Sequence, residues 1–89
     1  MIRETITIKN KLGLHARAAA KFVTTSSAFA SRIDVGRDKK MVDGKSIMSV
    51  MMLAASQGTE LTVEIDGHDE TQALRALQAL IDDFFGEGE

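Results

Sequence analysis

Several residue types are missing from this 89-residue chain, and each absence excludes a class of function. Without cysteine, the chain can form no disulfide and offers no thiolate for catalysis or metal binding. No apolar run approaches the roughly 20 residues that cross a bilayer. The first residues, Met1 to Glu4, also lack an apolar signal segment. We therefore expect a cytoplasmic protein that does not insert into a membrane.

Aromatic residues are also scarce, because the chain has four phenylalanines and neither tyrosine nor tryptophan. Proteins that read single-stranded RNA stack its bases on exposed aromatic side chains. Phe22 and Phe84 fall on predicted core faces, and Phe29 and Phe85 lie at predicted helix ends. The sequence therefore disfavours nucleic-acid binding.

Basic residues are nearly absent from the second half of the chain. Residues 1–45 contain ten basic and four acidic residues, a net charge of +6, whereas residues 46–89 contain Arg75 against nine acids, a net charge of −8. An anionic substrate or acidic partner should therefore be steered towards the N-terminal half.

The length and the alternation of apolar and polar residues predict one α/β domain over residues 1–89. A period of two predicts four strands, over Ile2–Lys9, Ser31–Val35, Lys40–Asp43 and Thr59–Asp66. Helical spacing predicts three helices, over Ala16 to Ser26 or Ser27, Ile47 to about Ser56, and Glu70 to Phe84 or Phe85, followed by a frayed tail over 86–89. This order predicts an antiparallel sheet with one apolar face covered by all three helices, which is a two-layer open-faced sandwich.

The segment Gly13 to Ala20 combines a nucleophile, a cation and a helix start. Gly13 can adopt backbone conformations closed to other residues, and the alanine-rich helix begins at Ala16 without a capping side chain at position 15. A phosphate on His15 would meet the backbone N–H groups of Ala16 and Arg17, the positive end of the helix dipole and the Arg17 guanidinium. Taken alone, a surface histidine beside a solvated arginine would also fit this pattern.

The segment Gly-Leu-His-Ala-Arg over 13–17, followed by small residues, resembles the active-site signature of the HPr family, the histidine phosphocarriers of the bacterial phosphotransferase system. A second similar segment, Val42 to Met48, lies at the family spacing, and the resemblance covers nearly the whole chain. It implies a four-stranded sheet of order 1-4-2-3. It also implies that Nδ1 of His15 takes a phosphoryl group from enzyme I and passes it to a IIA protein or domain. Ala18 stands where the family commonly has proline, so the helix start should be looser.

Gly44-Lys45-Ser46 resembles the end of a nucleotide-binding P-loop, but Lys39 stands where such a loop needs its first glycine. Ser46 is better interpreted as the N-cap of the second helix. In the HPr family a serine at this place can be phosphorylated by a dedicated kinase, HPr kinase/phosphorylase. The resemblance therefore makes Ser46 a candidate regulatory site, although capping alone also explains it.

The second helix is apolar on two sides. Ile47, Val50, Leu53 and Ala54 should face the core, and Met48, Met51, Met52 and Ala55 should form a second apolar side that is either core filler or a docking surface. The small side chains of Ala16 and Ala20 on the first helix should leave a flat surface beside His15 that is open to another protein, or they serve only to favour the helix. The predicted partner-binding set is Ala16, Ala20, Lys21, Thr24, Lys45, Ile47, Met48, Met51 and Met52, with Lys21 and Lys45 also contributing positive charge.

Three alternatives follow from these patterns. The chain is a monomeric phosphocarrier that needs no cofactor, metal or catalytic activity of its own, or it is a regulatory module that acts mainly by docking. Within the carrier function, sugar uptake and the nitrogen-related regulatory branch both remain open. An acylphosphatase-like enzyme would need a phosphate-cradling loop near the first strand, and none is recognisable. His68 is interpreted as a solvated loop residue, because two histidines without cysteine give no metal-ligand spacing.

Overall fold

The sheet sets the architecture of the chain. The computed structural model describes all 89 residues, and its four strands are β1 (Ile2–Thr7), β2 (Arg32–Arg37), β3 (Lys40–Asp43) and β4 (Glu60–Asp66). They form one sheet of order β1-β4-β2-β3 in which every neighbouring pair is antiparallel. The predicted sheet and its order are confirmed.

Helices α1 (Ala16–Ser27) and α2 (Ile47–Met51) connect strands, and α3 (Glu70–Asp82) follows β4, with a single 3₁₀ turn after it at Phe84–Gly86. Their buried side chains join the inward side chains of the strands in one core, which includes Phe22, Val50, Leu77, Ile33 and Val63. The opposite sheet face is polar, with ion pairs between Arg3 and Glu64 at 3.1 Å and between Arg32 and Asp34 at 3.3 Å. The predicted two-layer open-faced sandwich is therefore confirmed.

Helix α2 is shorter than predicted, and its faces differ from the expected ones. It ends at Met51, and Ala54 takes a left-handed conformation with φ of 50°. This change of direction buries Ala55, whose carbonyl oxygen accepts the Leu14 N–H at 2.8 Å. The predictions that Ala54 and Ile47 face the core were wrong, since both are exposed, and so was the outward placement of Ala55. Gly58 does not end the helix, and its N–H donates to the Ile8 carbonyl oxygen at 2.7 Å.

The chain after α3 also departs from the prediction. Phe84 and Phe85 have φ values of 58° and 53°, and this left-handed pair reverses the chain. As a result Phe85 is completely buried, whereas Phe84, the predicted core residue, is only half-buried. The tail is not frayed, because the Lys11 N–H donates to the Glu89 carbonyl oxygen at 2.9 Å. The helical pattern gave no sign of this reversal, since two consecutive left-handed non-glycine residues are uncommon.

The loop before α3 is tied to the start of β2 through Asp69. Its carboxylate accepts the Ala30 N–H at 2.9 Å, the Ser31 N–H at 3.0 Å and the Ser31 hydroxyl. The Ser31 hydroxyl, together with the two amides, lowers the pKa of Asp69 to about 2. The neighbouring His68 is exposed, as predicted.

We expect acid to weaken the fold through Asp69. Because the pKa of this carboxyl is lower in the folded chain than its ordinary value of 3.8, its stabilising contribution is complete above that value and is lost as the pH falls towards about 2. Urea unfolding at several pH values from 6 to 2 should show a shallower pH dependence for Asp69→Asn than for the wild type. Asp83→Asn, whose carboxylate makes no hydrogen bond, is the matched control and should keep the wild-type slope. Equal slopes in all three proteins would contradict this role.

No helix of the chain has both the length and the apolar character to span a membrane. No group of acidic and histidine side chains is arranged to hold a metal ion.

Candidate functional site

The loop before α1 is fixed to the body of the protein by its backbone. Gly13 has φ of +71°, and a Cβ atom there would lie 2.9 Å from the Cα atom of Ser56, so only glycine fits without strain. The Gly13 carbonyl oxygen accepts a hydrogen bond from Nδ2 of Asn10 at 2.8 Å, and Leu14 is buried. These contacts hold the next residue, His15, at a defined place.

His15 occupies the N-cap of α1 in an extended conformation, with φ of −75° and ψ of 179°. Its carbonyl oxygen accepts the Ala19 N–H at 2.8 Å, and its side chain does not cap the helix. The N–H groups of Ala16, Arg17 and Ala18 therefore have no acceptor. Such a helix N-terminus attracts an anion through its free N–H groups and its dipole.

Arg17 is exposed and forms neither an ion pair nor a hydrogen bond with another side chain. Its guanidinium is thus accessible from solvent. Ala18, where the family commonly has proline, is completely buried against the core. The N–H of Ala18 has no intrahelical partner. A proline at this position, which lacks an N–H, would therefore lose no helical hydrogen bond.

The carboxylate of Glu87 contacts the imidazole of His15, and sequence reasoning missed this contact. One Glu87 oxygen pairs with Nε2 of His15, and the other accepts Nδ2 of Asn10 at 2.9 Å. Burial alone would raise the pKa of Glu87, but these two hydrogen bonds and the nearby charge of Lys21 outweigh it and lower the pKa. An ionised carboxylate only accepts hydrogen bonds, so in the neutral imidazole Nε2 carries the proton and Nδ1 keeps its lone pair.

A surface cleft of about 780 Å³ opens beside the imidazole. Its lining residues come from the loop, the start of α1 and the tail: Lys11, Leu12, His15, Ala16, Arg17, Gly86, Glu87 and Glu89. Two acids of the strongly negative C-terminal half therefore lie at the site. The predicted positive charge around His15 is thus partly offset, because the tail folds back onto the N-terminal half.

Lys21 and Lys45, the two lysines predicted to add positive charge at His15, make contacts in different places. Nζ of Lys21 donates to the Phe85 carbonyl oxygen at 2.6 Å, which places its charge near Glu87. Nζ of Lys45 donates to the Phe29 carbonyl oxygen at 2.7 Å, and Lys45 does not line the cleft. The predicted electrostatic contribution of Lys45 at His15 therefore has no support in the geometry.

The predicted docking residues lie on α1 and α2. Ala16 and Thr24 are exposed and Ala20 is half-buried, and Ala20, Lys21 and Thr24 line a shallow depression on α1. On α2, Met48 and Met52 are 71% and 70% exposed, and Ile47 and Met51 are exposed as well. Ser46 caps α2 as predicted, since its Oγ accepts the Ser49 N–H at 3.3 Å, and it is half-buried.

Comparison with known proteins places this fold and site in one class. The sequence model described as "PTS HPr component phosphorylation site" matches residues 2–83, which include His15 and Arg17. The chain belongs to the HPr family, the phosphocarriers of the phosphotransferase system.

Individual relatives agree with this assignment. The chain is 54% identical to the phosphocarrier protein HPr of Neisseria meningitidis serogroup A over 89 residues, which is all of both chains. A crystal structure of HPr-C-His from Thermoanaerobacter tengcongensis superimposes with a TM-score of 0.93 at 52% identity, covering 98% of each chain. A structure described as an HPr dimer from the same organism gives a TM-score of 0.78 at 52% identity, covering 98% of this chain and all of the other. Since a dimer occurs among the relatives, the monomeric state predicted for this chain stays a prediction.

Proposed function

We propose that His15 is the residue on which this phosphocarrier accepts and passes on a phosphoryl group, and that Nδ1 is the atom that carries it. The observation that supports this most directly is the pairing of Nε2 with Glu87, because it leaves the Nδ1 lone pair free. The unpaired N–H groups of Ala16 and Arg17 and the free Arg17 guanidinium supply positive charge for the transferred group.

The transfer follows from these positions. Nδ1 of His15 attacks the phosphorus atom of the phosphohistidine on enzyme I, so the new P–N bond forms as the old one breaks and its electron pair returns to the donor. In the second step a nucleophile on a IIA protein or domain attacks the phosphorus, and the electron pair of the P–N bond returns to Nδ1. The chain, acting as one unit over residues 1–89, is consumed and regenerated, and catalysis belongs to its partners in the cytoplasm. Acceptors of the sugar-uptake branch and of the nitrogen-related branch both fit this chemistry.

Partners would dock on the exposed apolar surface of α2 and on the small side chains of α1. Methionine side chains adapt to different partner surfaces, and exposed apolar patches of this kind commonly mark protein–protein contacts. Ser46 adjoins this surface at the start of α2. A phosphoryl group added to Ser46 would place a dianion beside Ile47 and Met48, where it would weaken apolar docking, and this supports Ser46 as a regulatory site for a dedicated kinase.

The test is phosphorylation by phosphoenolpyruvate and enzyme I, followed by phosphorus NMR of protein labelled with ¹⁵N in its histidines. We expect one acid-labile phosphoryl group per chain, with its phosphorus coupled to Nδ1 of His15. If the chain gains no phosphoryl group while the cognate enzyme I is itself phosphorylated, the carrier proposal fails. In that case the α2 surface would become the main candidate for function, as a regulatory docking site.

A further inference from the structure

The tail that carries Glu87 is held over the site by several independent contacts. Phe85 is completely buried in the core, and its carbonyl oxygen accepts Nζ of Lys21 at 2.6 Å. Beyond Glu87, the Glu89 carbonyl oxygen accepts the Lys11 N–H at 2.9 Å. The Glu87 side chain is only 11% exposed, so its carboxylate is fixed in position rather than solvated.

The two oxygens of this carboxylate have different partners. One accepts Nδ2 of Asn10, a residue that is itself completely buried, and the other faces Nε2 of His15. The Asn10 amide thus orients the carboxylate towards the ring edge opposite Nδ1. A carboxylate in this relation to an imidazole fixes the tautomer and stabilises the imidazolium without taking its proton.

That arrangement has a consequence for phosphoryl transfer. When Nδ1 forms the P–N bond, it uses its lone pair while Nε2 keeps its proton, so the ring becomes positively charged. When the P–N bond breaks towards the acceptor, a ring that is still protonated at Nε2 leaves as neutral imidazole. A ring that has lost this proton would have to leave as the much poorer imidazolate.

We propose that Glu87 is a positioning residue for both transfer steps, in which it orients the His15 ring and balances the charge of the phosphorylated, Nε2-protonated imidazole. This inference rests on the proposed carrier function of His15. The charge of Lys21 and the hydrogen bond from Asn10 keep Glu87 ionised for this role. Glu87 contacts Nε2, the nitrogen that is not phosphorylated. Its negative charge is therefore on the far side of the ring from the incoming phosphoryl group, which limits the repulsion between them.

The test uses three variants of the full chain. Glu87→Gln keeps the length and an acceptor oxygen but removes the charge, and Glu87→Ala removes both. Asp83→Asn is the matched control, because it removes one negative charge from the same C-terminal segment at an exposed carboxylate that makes no hydrogen bond and does not line the cleft. Rapid-quench measurements should follow acceptance from phosphorylated enzyme I and donation to a IIA protein separately.

We expect both steps to be about tenfold slower in Glu87→Gln, as for loss of one charge-assisted hydrogen bond, and slower still in Glu87→Ala. Both rates should be unchanged in Asp83→Asn. The wild type should also show a far-downfield, slowly exchanging Nε2 proton in its NMR spectrum, and Glu87→Ala should lose it. Because Glu87→Ala leaves the buried Phe85 and the Lys11–Glu89 backbone hydrogen bond in place, loss of the signal in that variant would report the missing carboxylate.

Wild-type rates in Glu87→Gln and Glu87→Ala would overturn the role of Glu87 while leaving the carrier function intact, since His15 would still be phosphorylated. A wild-type chain that is never phosphorylated would overturn both. An equal slowing in Asp83→Asn would show that the overall negative charge of the C-terminal segment acts instead, and this too would overturn the proposal.

Discussion

The His15→Ala variant is expected to accept no measurable phosphoryl group from enzyme I. The substitution removes the only imidazole at the cleft, and neither Arg17 nor Lys11, the cations that line it, can serve as an equivalent phosphoryl acceptor. His15 is partly exposed, with 32% of its side chain accessible, and contributes no core packing. The variant should therefore fold normally, and its loss of transfer would be a chemical effect.

The chain provides its own control for this experiment. Its second histidine, His68, is exposed in the loop before α3, so His68→Ala should be phosphorylated at the wild-type rate. Transfer should be followed by radiolabelled phosphate from phosphoenolpyruvate. Residual labelling of His15→Ala that survives acid would point to another acceptor, such as a serine, and would contradict the assignment.

The His15→Ala variant also distinguishes a phosphocarrier from a regulatory module that acts mainly by docking. If docking and chemistry are separate properties, unphosphorylated His15→Ala should still bind enzyme I and compete with the wild type. Met48→Asp places a charge on the exposed α2 surface and should weaken that binding while leaving His15 in place. Unchanged affinity in a folded Met48→Asp chain would exclude this surface as the docking site.

The Phe85→Ala variant is expected to lose about 3–5 kcal/mol of unfolding free energy, the usual cost of truncating a buried phenylalanine. Phe85 is completely buried among the side chains of the core, so its removal leaves a cavity. For a chain of this size, with a total stability of about 4–13 kcal/mol, that loss is a large fraction. Urea unfolding at neutral pH measures it directly.

Two further variants test whether the loss of stability in Phe85→Ala comes from the buried position of Phe85. Phe85→Leu keeps most of the apolar volume and should remain folded even if Phe85→Ala does not, with a smaller loss of stability. Phe84→Ala alters a half-buried neighbour with the same left-handed backbone and should cost less than half as much as Phe85→Ala. Equal losses for the two phenylalanines would contradict the observed burial. Loss of Phe85 should also release the tail and therefore weaken the Nε2 proton signal of His15.

The parts of the fold that could be predicted from sequence share one property: a regular pattern sustained over several residues. Strand β4 alternates cleanly from Leu61 to Ile65, and the apolar face of α1 recurs at Ala19, Phe22 and Val23. In both elements these recurring apolar residues are buried, because the period largely decides which side faces the core. His15 and Arg17, the residues of the proposed site, could be predicted because they lie two positions apart in a short segment that resembles a family signature.

The missed features depend on contacts between distant segments. Nothing local in Phe84 and Phe85 indicates a left-handed reversal, and Glu87 is linked to His15 only through the folded chain. Likewise, Ala55 is buried after the left-handed turn at Ala54, where its carbonyl oxygen accepts the Leu14 N–H from a distant segment. Only the negative charge of residues 86–89 could have predicted that this segment folds back, because an acidic segment is attracted to the basic half of the same chain.

The position of β1 in the sheet has a consequence for how the protein is made. β1 is an edge strand that pairs only with β4, and its register joins Ile2 to Ile65 and Thr7 to Glu60. During synthesis β1 therefore cannot join the sheet until β4 has left the ribosome. Closing such long loops slows folding and leaves an unpaired strand exposed in the meantime. Until then the nascent chain depends on the polar residues Arg3, Thr5 and Thr7 to keep this strand from pairing with other chains.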